Sequence, residues 1–442
     1  MIVHSSEAAC LLQTGALYTR RLGLRPKNSA DDIFAGIKIG AFSIYFGDAP
    51  IVHYDLEGRW QRAFIHGIHY LKGLDTATQA IERVREGANL VLKRRTLSYA
   101  EASDLDAQVR GFALDVGASI DAGTSQILAP PSTSSALEIS ELRDMIDQIG
   151  RWDADAWFSH REKYLNAYGA LPFIPPDCQH AAILQATLGH HLGVAFGNGR
   201  PAEHYVRTTA EFAKHVDDVA NLLGRRAEQC RNIFLAGADV LSQPLDHLIF
   251  LMESIAKRLP IDPSMARRRP TERHHEPHRF EGIQVFLDDY VDPLPSKNGF
   301  QALKDLHLSK VHLGVESGDP NIRSAYHRSW SNPQFIQTVT DVKSAGLPVG
   351  IIVPVGAGGI EHGQTHVDAS TALLTSLPLA TGDLVVLIDI DELGPMPEGL
   401  TPLDAVAMTR ERIQFRENLA VWKTGQGVKI VAYSLEKQGN AY

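Results

Sequence analysis

Six short apolar stretches alternate with segments of helical periodicity in the second half of the sequence, and this alternation limits the possible folds more than any other feature. The predicted strands span 184–189, 233–239, 283–289, 311–317, 348–356 and 383–390. The predicted helices between them span 209–223, 244–258, 299–306, 332–345 and 364–376. Apolar strands separated by amphipathic helices are typical of a parallel sheet with right-handed crossovers. We therefore predict an α/β fold for this half.

The chain is predicted to divide into four parts. Residues 1–150 form an N-terminal α+β and helical module, for which the periodicity predicts helices at 5–22, 76–93, 98–116 and 136–149. Residues 151–183, rich in aromatic residues and proline, form a connector. Residues 184–393 contain the alternating strands and helices, and residues 394–442 form a C-terminal helix followed by an edge strand.

The charge balance of the chain limits its partners. The formal net charge is −9 and the isoelectric point is near 6.1, which argues against a nucleic acid or an anionic membrane recognised through a basic surface. No apolar run reaches the length of a membrane span, and the first thirty residues lack the order of a secretion signal. We expect a cytoplasmic protein with a small-molecule substrate, and a protein partner or a homodimer stays open.

Three sequence features at the ends of predicted strands resemble those of one family. A glycine-containing loop follows the first strand, the segment Gly314-Val-Glu-Ser-Gly318 ends the fourth, and Gly356, Gly358 and Gly359 follow the fifth. This order resembles the radical S-adenosylmethionine (SAM) superfamily, whose first strand delivers a Cys-x-x-x-Cys-x-Phe-Cys loop. The resemblance implies a six-stranded partial (β/α) barrel at 184–393.

The cysteines of that loop are absent. When Phe196 is aligned with the aromatic residue of the family, the three cysteine positions hold His190, Val194 and Gly197. An iron–sulfur cluster of this kind is held by thiolates, and valine and glycine offer no ligand atom. We therefore expect no iron–sulfur cluster at this loop.

The three cysteines of the chain leave one alternative open. Cys10, Cys178 and Cys230 come from separate segments that could meet in space. Cys178 and Cys230 precede their strands, however, whereas ligands of parallel α/β folds bind beyond the carboxyl ends of strands. A strand of six residues is about 20 Å long, so these two thiols should lie at the wrong end.

The resemblance implies a set of residues that bind SAM. Glu316 and Ser317 are implied to contact the cofactor near the barrel mouth, where a carboxylate accepts from ribose hydroxyls or from an amino group. An ion pair of Glu316 with Arg323 or Arg328 is the structural alternative. The family places adenine on the glycine-rich turn, here Gly356, Gly358 and Gly359, and the methionyl amino group near the second strand. The residues implied there are Gly237 and Asp239.

Acid–base and metal-binding residues follow from strand ends and from histidines. Asp288 and Asp389 end the third and sixth strands, where a carboxylate serves as a general base or caps a helix. His190 lies in the altered loop and is predicted to act in hydrogen bonding or acid–base chemistry. A mononuclear metal held by His190 or His191 and a strand-end aspartate is an alternative, but no third ligand is assigned. We therefore predict no metal.

Together these features predict a cluster-free enzyme that uses SAM as a substrate or co-substrate in polar chemistry. Alkyl transfer, cyclisation and elimination in a specialised biosynthetic pathway stay open, because the sequence does not indicate which carbon of SAM reacts. Two alternatives belong to other classes. One is a catalytically inactive scaffold that keeps the barrel and serves a protein partner, and the other is a mononuclear His/Asp metal enzyme.

Overall fold

The computed structural model describes residues 20–27, 31–38, 40–87, 89–128, 135–189, 204–237, 239–268, 277–288, 290 and 292–434. Within them, the N-terminal part is a ten-stranded sheet in which β2 to β8 form an antiparallel meander. β1 lies beside β2, and it also pairs with β9 and, in parallel, with β10. The strands are β1 (Arg20–Pro26), β2 (Ile33–Lys38), β3 (Ala41–Phe46), β4 (Ile51–Asp55), β5 (Trp60–Ile65), β6 (Ile68–Lys72), β7 (Thr78–Glu86), β8 (Asn89–Thr96), β9 (Ser125–Leu128) and β10 (Ser135–Ala136).

The predicted helix at 76–93 is wrong, because these residues form the hairpin of β7 and β8. Its many charged side chains give the segment a helical pattern, but β7 pairs along its length with β6, as in Tyr70 opposite Ala80. Gly87 adopts a φ of 61° between the two strands, which suits a reversal of the chain. Burial of Ala80 and Ile81 against the sheet outweighs local helix propensity.

Three helices follow the first strands: α1 (Tyr99–Asp121), α2 (Ile139–Gly150) and α3 (Ala154–Ala167). The predictions at 98–116 and 136–149 are confirmed, and α3 lies within the predicted connector. Ser98 and Glu101 form a reciprocal capping box at the start of α1. Apolar side chains of α1 and α2, such as Val109 and Leu142, are buried in one core with Phe42 and Tyr54 of the sheet. Of the predicted helix at 5–22, residues 20–22 belong to β1 and residues 5–19 lie outside the described part.

The second half forms the parallel sheet that the sequence predicts. In the described residues this sheet has seven strands in sequential order, all parallel. They are β11 (Ala182–Gln185), β14 (Ile233–Ala236), β15 (Ile283–Leu287), β16 (Leu308–Gly314), β17 (Val349–Val355), β18 (Leu384–Asp389) and β19 (Lys429–Tyr433). The six predicted strands are present. The seventh, β19, is the predicted C-terminal edge strand and pairs with β18.

Helices connect these strands and bury them. They are α4 (Thr209–Leu223), α5 (Leu245–Arg258), α6 (Lys297–Asp305), α7 (Pro320–Ala325), α8 (Asn332–Ser344), α9 (Gly359–Thr375), α10 (Ala405–Asn418) and α11 (Ala420–Gln426). All seven residues of β17 are buried, as expected for a central parallel strand covered on both faces. A short antiparallel pair, β12 (Thr187–Leu188) and β13 (Tyr205–Val206), lies just beyond β11.

A buried arginine joins the N-terminal sheet to the parallel half. Arg59 pairs with Asp55 at 2.7 Å and donates to the carbonyls of Leu222 and Leu223 at 2.6 Å. These carbonyls end α4, where the helix dipole favours a cation. Among the described residues, no helix is long and apolar enough to cross a membrane.

Candidate active site at the carboxyl ends of the parallel strands

The carboxyl ends of parallel strands meet at one edge of a sheet, and this edge carries the candidate site. Polar side chains follow β11, β14, β15, β16, β17 and β18 in turn. Most of them are buried, and nearly all contact a partner from another element. The following paragraphs take these contacts in strand order.

A threonine, a histidine and an aspartate meet beyond β11 and β14. Thr187 donates to one carboxylate oxygen of Asp239 at 2.6 Å, and His204 Nε2 contacts the other in a short hydrogen bond. Asp239 and Thr187 are buried, whereas the His204 side chain is 17% exposed. A buried carboxylate that holds a partly exposed imidazole fixes the orientation of that imidazole, as in acid–base sites.

Gly237 allows this contact to form. A Cβ atom at position 237 would lie 2.1 Å from Thr187 Oγ1, and the φ of 133° disfavours any other residue. Gly237 and Asp239, which the resemblance assigns to the methionyl amino group, therefore lie together at the site. Asp239 already accepts from Thr187 and His204, so in this structure it positions His204.

Beyond β15 and β16 an arginine lies between two carboxylates. Arg328 donates from Nη2 to Asp288 at 2.5 Å, and its Nε forms an ion pair with Glu316 at 2.7 Å. All three side chains are buried. The structural alternative for Glu316, an ion pair with Arg328, is thus present. Glu316 Oε2 accepts no hydrogen bond from the described residues, so half of this carboxylate is available to a donor.

Ser317 takes part in a buried hydrogen-bond network. The carbonyl of Pro354 accepts from His366 Nε2 at 2.9 Å, so Nε2 carries a proton. Burial lowers the pKa of His366 to about 4 and keeps the ring neutral, so Nδ1 accepts the Ser317 hydroxyl proton, also at 2.9 Å. Ser317 Oγ in turn accepts from the amide of Asp319 at 3.1 Å. The hydroxyl of Ser317 is therefore engaged within the chain, and a contact with SAM stays a prediction.

The glycine-rich turn after β17 is covered by α10. Gly356 has a φ of 86°, and a Cβ atom there would lie 2.7 Å from Met408 Cε. The Gly356 amide donates to Glu411 Oε1 at 2.6 Å. Cβ atoms at Gly358 and Gly359 would meet the carbonyls of His362 and Thr401 at 2.6 and 2.8 Å. The close packing at these glycines is therefore with the chain itself, and adenine binding there stays a prediction.

Glu411 is the most perturbed carboxyl group at this edge. Burial raises its pKa to about 7, the Gly356 amide bond opposes the rise, and the negative charge of Asp389 adds to it. Asp389, at the end of β18, is held by two nitrogens of Arg412, with Nε 3.1 Å from Oδ1. Both Glu411 and Arg412 belong to α10. A carboxyl group that titrates near neutral pH is suited to proton transfer.

The residues that would hold an iron–sulfur cluster do not fit that group. His190, Val194 and Gly197 lie outside the described residues, but valine and glycine have no donor atom in any conformation. Cys178 and Cys230 are buried and precede β11 and β14, on the side of the strands away from this edge. Cys10 also lies outside the described part. No reaction step is therefore derived through a cluster.

Sequence reasoning missed the partners of the strand-end carboxylates. His204, Arg328, His366, Glu411 and Arg412 all lie away from strand ends, on helices or loops. Only His204 carried a local signal, because it follows the altered loop and precedes α4. The other four are brought in by helix packing, which a single sequence does not specify.

Comparisons with known proteins place the chain near radical SAM enzymes in fold. No family model matches the sequence, and no curated protein matches it. Among solved structures, coproporphyrinogen III oxidase HemN of Escherichia coli, a radical SAM enzyme, shares 9% identity, with a TM-score of 0.38 over 60% of this chain and 56% of that one. The cobalamin-dependent S-adenosylmethionine radical enzyme OxsB shares 12% identity, with a TM-score of 0.34 over 67% and 35%. The radical S-adenosylmethionine methyltransferase TsrM of Kitasatospora setae shares 12%, with a TM-score of 0.33 over 50% and 39%.

The extent of these likenesses limits what they imply. The chain spans roughly a third of the OxsB structure and just over half of HemN. The likeness concerns the fold, and the chain's own parallel sheet confirms the predicted α/β class. The function is argued from the residues at the strand ends.

Proposed function

We propose that this chain is an enzyme that binds SAM at the carboxyl ends of its parallel strands and uses it in polar, cluster-free chemistry. The observation that carries the proposal is the charge at this edge. Asp239, Asp288, Glu316, Asp319, Asp389 and Glu411 provide six carboxyl groups, and Arg323, Arg328 and Arg412 provide three guanidinium groups. An excess of buried carboxylates favours a cationic ligand, and SAM carries a sulfonium and an ammonium group.

Glu316 is the best-placed contact for such a ligand. Its Oε1 pairs with Arg328, while its buried Oε2 lacks a hydrogen-bond partner among the described residues. An unpartnered buried carboxylate oxygen costs about 1–3 kcal/mol, which a ligand ammonium or hydroxyl would recover. Asp288 and Arg328 hold Glu316 in place. The residues present therefore fit a cationic ligand between β14 and β16 better than an adenine on the turn at Gly356.

His204 is the proposed general base. Asp239 and Thr187 fix the imidazole, and the partly exposed ring lies beside the segment that holds His190. Bound SAM supplies a carbon activated by the adjacent sulfonium, so no electron donor is required. The protein needs only to hold the acceptor in line and to remove its proton. Transfer, cyclisation and elimination all meet this requirement.

Binding and turnover test the proposal separately. Isothermal titration of the full chain with SAM should show binding, and anaerobic treatment with iron and sulfide should give no charge-transfer absorbance. Incubation with SAM should yield methylthioadenosine, S-adenosylhomocysteine or adenine by liquid chromatography. Absence of SAM binding would rule out the proposal, and a cluster spectrum would rule out the cluster-free chemistry.

Two variants with matched controls locate the site. Glu316→Gln should weaken SAM binding about tenfold or more, since a hydrogen bond to a charged group contributes about 1.5–3 kcal/mol. Glu253→Gln, at an exposed position of α5, should leave binding unchanged. His204→Gln should lower product formation while binding persists, and the exposed His66→Asn should not. Equal effects of variant and control would place the ligand elsewhere.

One observation favours a second candidate, a non-catalytic scaffold. Asp288, Glu316 and Asp389 each pair with an arginine of the chain, and Met408 packs on Gly356. These contacts give the strand-end residues a structural purpose without a ligand. The scaffold predicts no SAM binding, no product and capture of a protein partner. The proposed mononuclear metal enzyme built on His190 predicts stoichiometric iron or zinc instead.

A further inference from the structure

A second polar cluster lies toward the amino-terminal ends of the parallel strands. Asp177 and Cys178 end the segment before β11, Gln284 lies in β15, and His312 lies in β16. One ligand atom each from Asp177, Cys178 and His312 lies within 4.8 Å of the others. This cluster takes no part in the function proposed above.

The separations match those between ligands of a tetrahedral zinc ion. Cys178 Sγ lies 3.6 Å from His312 Nε2, and His312 Nε2 lies 3.4 Å from Asp177 Oδ1. With Zn–S near 2.3 Å and Zn–N and Zn–O near 2.0–2.1 Å, tetrahedral angles separate sulfur and nitrogen by about 3.6 Å, and nitrogen and oxygen by about 3.3 Å. The three donors therefore need only small movements to share one ion.

The surroundings supply a fourth donor and an entry path. Gln284 Oε1 lies 3.1 Å from Cys178 Sγ and 2.8 Å from His312 Nε2. Cys178 and His312 are fully buried, but the Asp177 side chain is 32% exposed and opens the cluster to solvent. Thiolate, imidazole and carboxylate together suit zinc among the common divalent ions.

The protonation states bear on how a metal would bind. Burial lowers the pKa of His312 to about 4, so the imidazole is neutral and ready to bind a metal. Burial raises the pKa of Cys178, so the thiol must lose its proton to solvent as the metal–sulfur bond forms. Metal affinity should therefore rise about tenfold per pH unit while Cys178 stays a thiol in the free protein.

Without a metal the same atoms form a hydrogen-bonded cluster. The Cys178 thiol donates to Gln284 Oε1, as does His312 Nε2, and Lys310 donates to Asp177 at 2.6 Å. The Lys310 charge opposes cation binding, whereas the Asp177 carboxylate and a Cys178 thiolate favour it. The two arrangements make opposite predictions for metal uptake.

We propose that Asp177, Cys178 and His312 form a mononuclear structural zinc site, with Gln284 Oε1 or a solvent molecule as the fourth ligand. The ion would tie the segment before β11 to β15 and β16. The site is independent of the strand-end chemistry, so it stands or falls separately from SAM binding.

The test uses the full chain stripped with a chelator and then titrated with zinc or cobalt(II). Elemental analysis should find one zinc per chain, and cobalt(II) should give a thiolate-to-metal charge-transfer band with tetrahedral visible bands. Cys178→Ser should abolish the charge-transfer band, and His312→Gln should weaken zinc binding at least tenfold. Cys230→Ser removes a buried thiol elsewhere, whose Sγ lies 3.9 Å from the Arg226 carbonyl, and should change neither.

Several results would overturn the site. A cobalt(II) complex without charge transfer would place the metal on histidines alone, and this measurement needs no variant. A charge-transfer band that survives in Cys178→Ser would assign the metal to another cysteine. No uptake of either metal would leave the hydrogen-bonded cluster as the complete description. Circular dichroism of each variant separates loss of metal from loss of fold.

Discussion

Replacement of Glu411 by glutamine should stabilise the protein at alkaline pH relative to acidic pH. Burial raises the pKa of Glu411 from 4.5 to about 7, because the folded state favours the protonated carboxyl. The stability from this group is complete below pH 4.5 and is lost as the pH rises through 7. Glutamine keeps an oxygen that accepts from the Gly356 amide, which Glu411 accepts at 2.6 Å, but it does not ionise.

The magnitude follows from the shift. A displacement of one pKa unit corresponds to about 1.4 kcal/mol, so most of the linked free energy, about 2 to 3 kcal/mol, is lost between pH 5 and pH 8. The difference in free energy of unfolding, Glu411→Gln minus wild type, should therefore be more positive at pH 8 than at pH 5 by that amount. Taking the difference of differences cancels all other titrating groups.

Urea unfolding followed by tryptophan fluorescence at pH 5 and pH 8 provides the measurement. Glu417→Gln, an exposed carboxylate on the same helix, serves as the control and should change stability equally at both pH values. If Glu411→Gln also behaves equally at both, Glu411 ionises freely in the folded protein. The contact between α10 and the turn after β17 would then be looser than described.

Three further substitutions test the packing around the sheet. Gly356→Ala should cost about 2 to 4 kcal/mol in urea unfolding, from a left-handed φ and the contact with Met408, and less in a Met408→Ala background. A neutral effect on stability combined with lost SAM binding would assign Gly356 to the ligand. Arg328→Gln should cost about 3 to 5 kcal/mol, because it leaves two buried carboxylates unpaired, whereas Arg25→Gln, in an exposed pair, should cost less than about 1 kcal/mol. Arg59→Gln should speed proteolysis between the two halves, and unchanged cleavage would contradict the role of its bonds to α4.

The strands of the parallel sheet were predictable because their signal is local. Each is a short apolar run, and β17 and β18 begin and end within one residue of the predicted ranges 348–356 and 383–390. The β7–β8 hairpin was not predictable in the same way. Its residues carry charges at helical spacing, and only pairing with β6 selects the strand conformation.

The candidate site was predictable only in part. Strand order and motif position indicate that Asp239, Asp288, Glu316 and Asp389 lie at one edge, and the structure places them at the ends of β14, β15, β16 and β18. What they contact depends on how helices pack, so the partners could not be derived from a single sequence. The roles of these residues in binding and catalysis stay predictions, as does that of His190, which lies outside the described residues.

The covering of the glycine-rich turn bears on where a ligand can bind. Met408 packs on Gly356, and Glu411 accepts from its amide, so an adenine ring on this turn would have to displace both contacts. Exposing a buried methionine side chain costs about 1.5 to 3 kcal/mol, before the loss of the hydrogen bond. A ligand that contacts Glu316 and His204 requires no such movement. The arrangement therefore favours the region between β14 and β16 for the charged part of a ligand. Access to the turn is coupled to the position of α10 and, through Glu411, to pH.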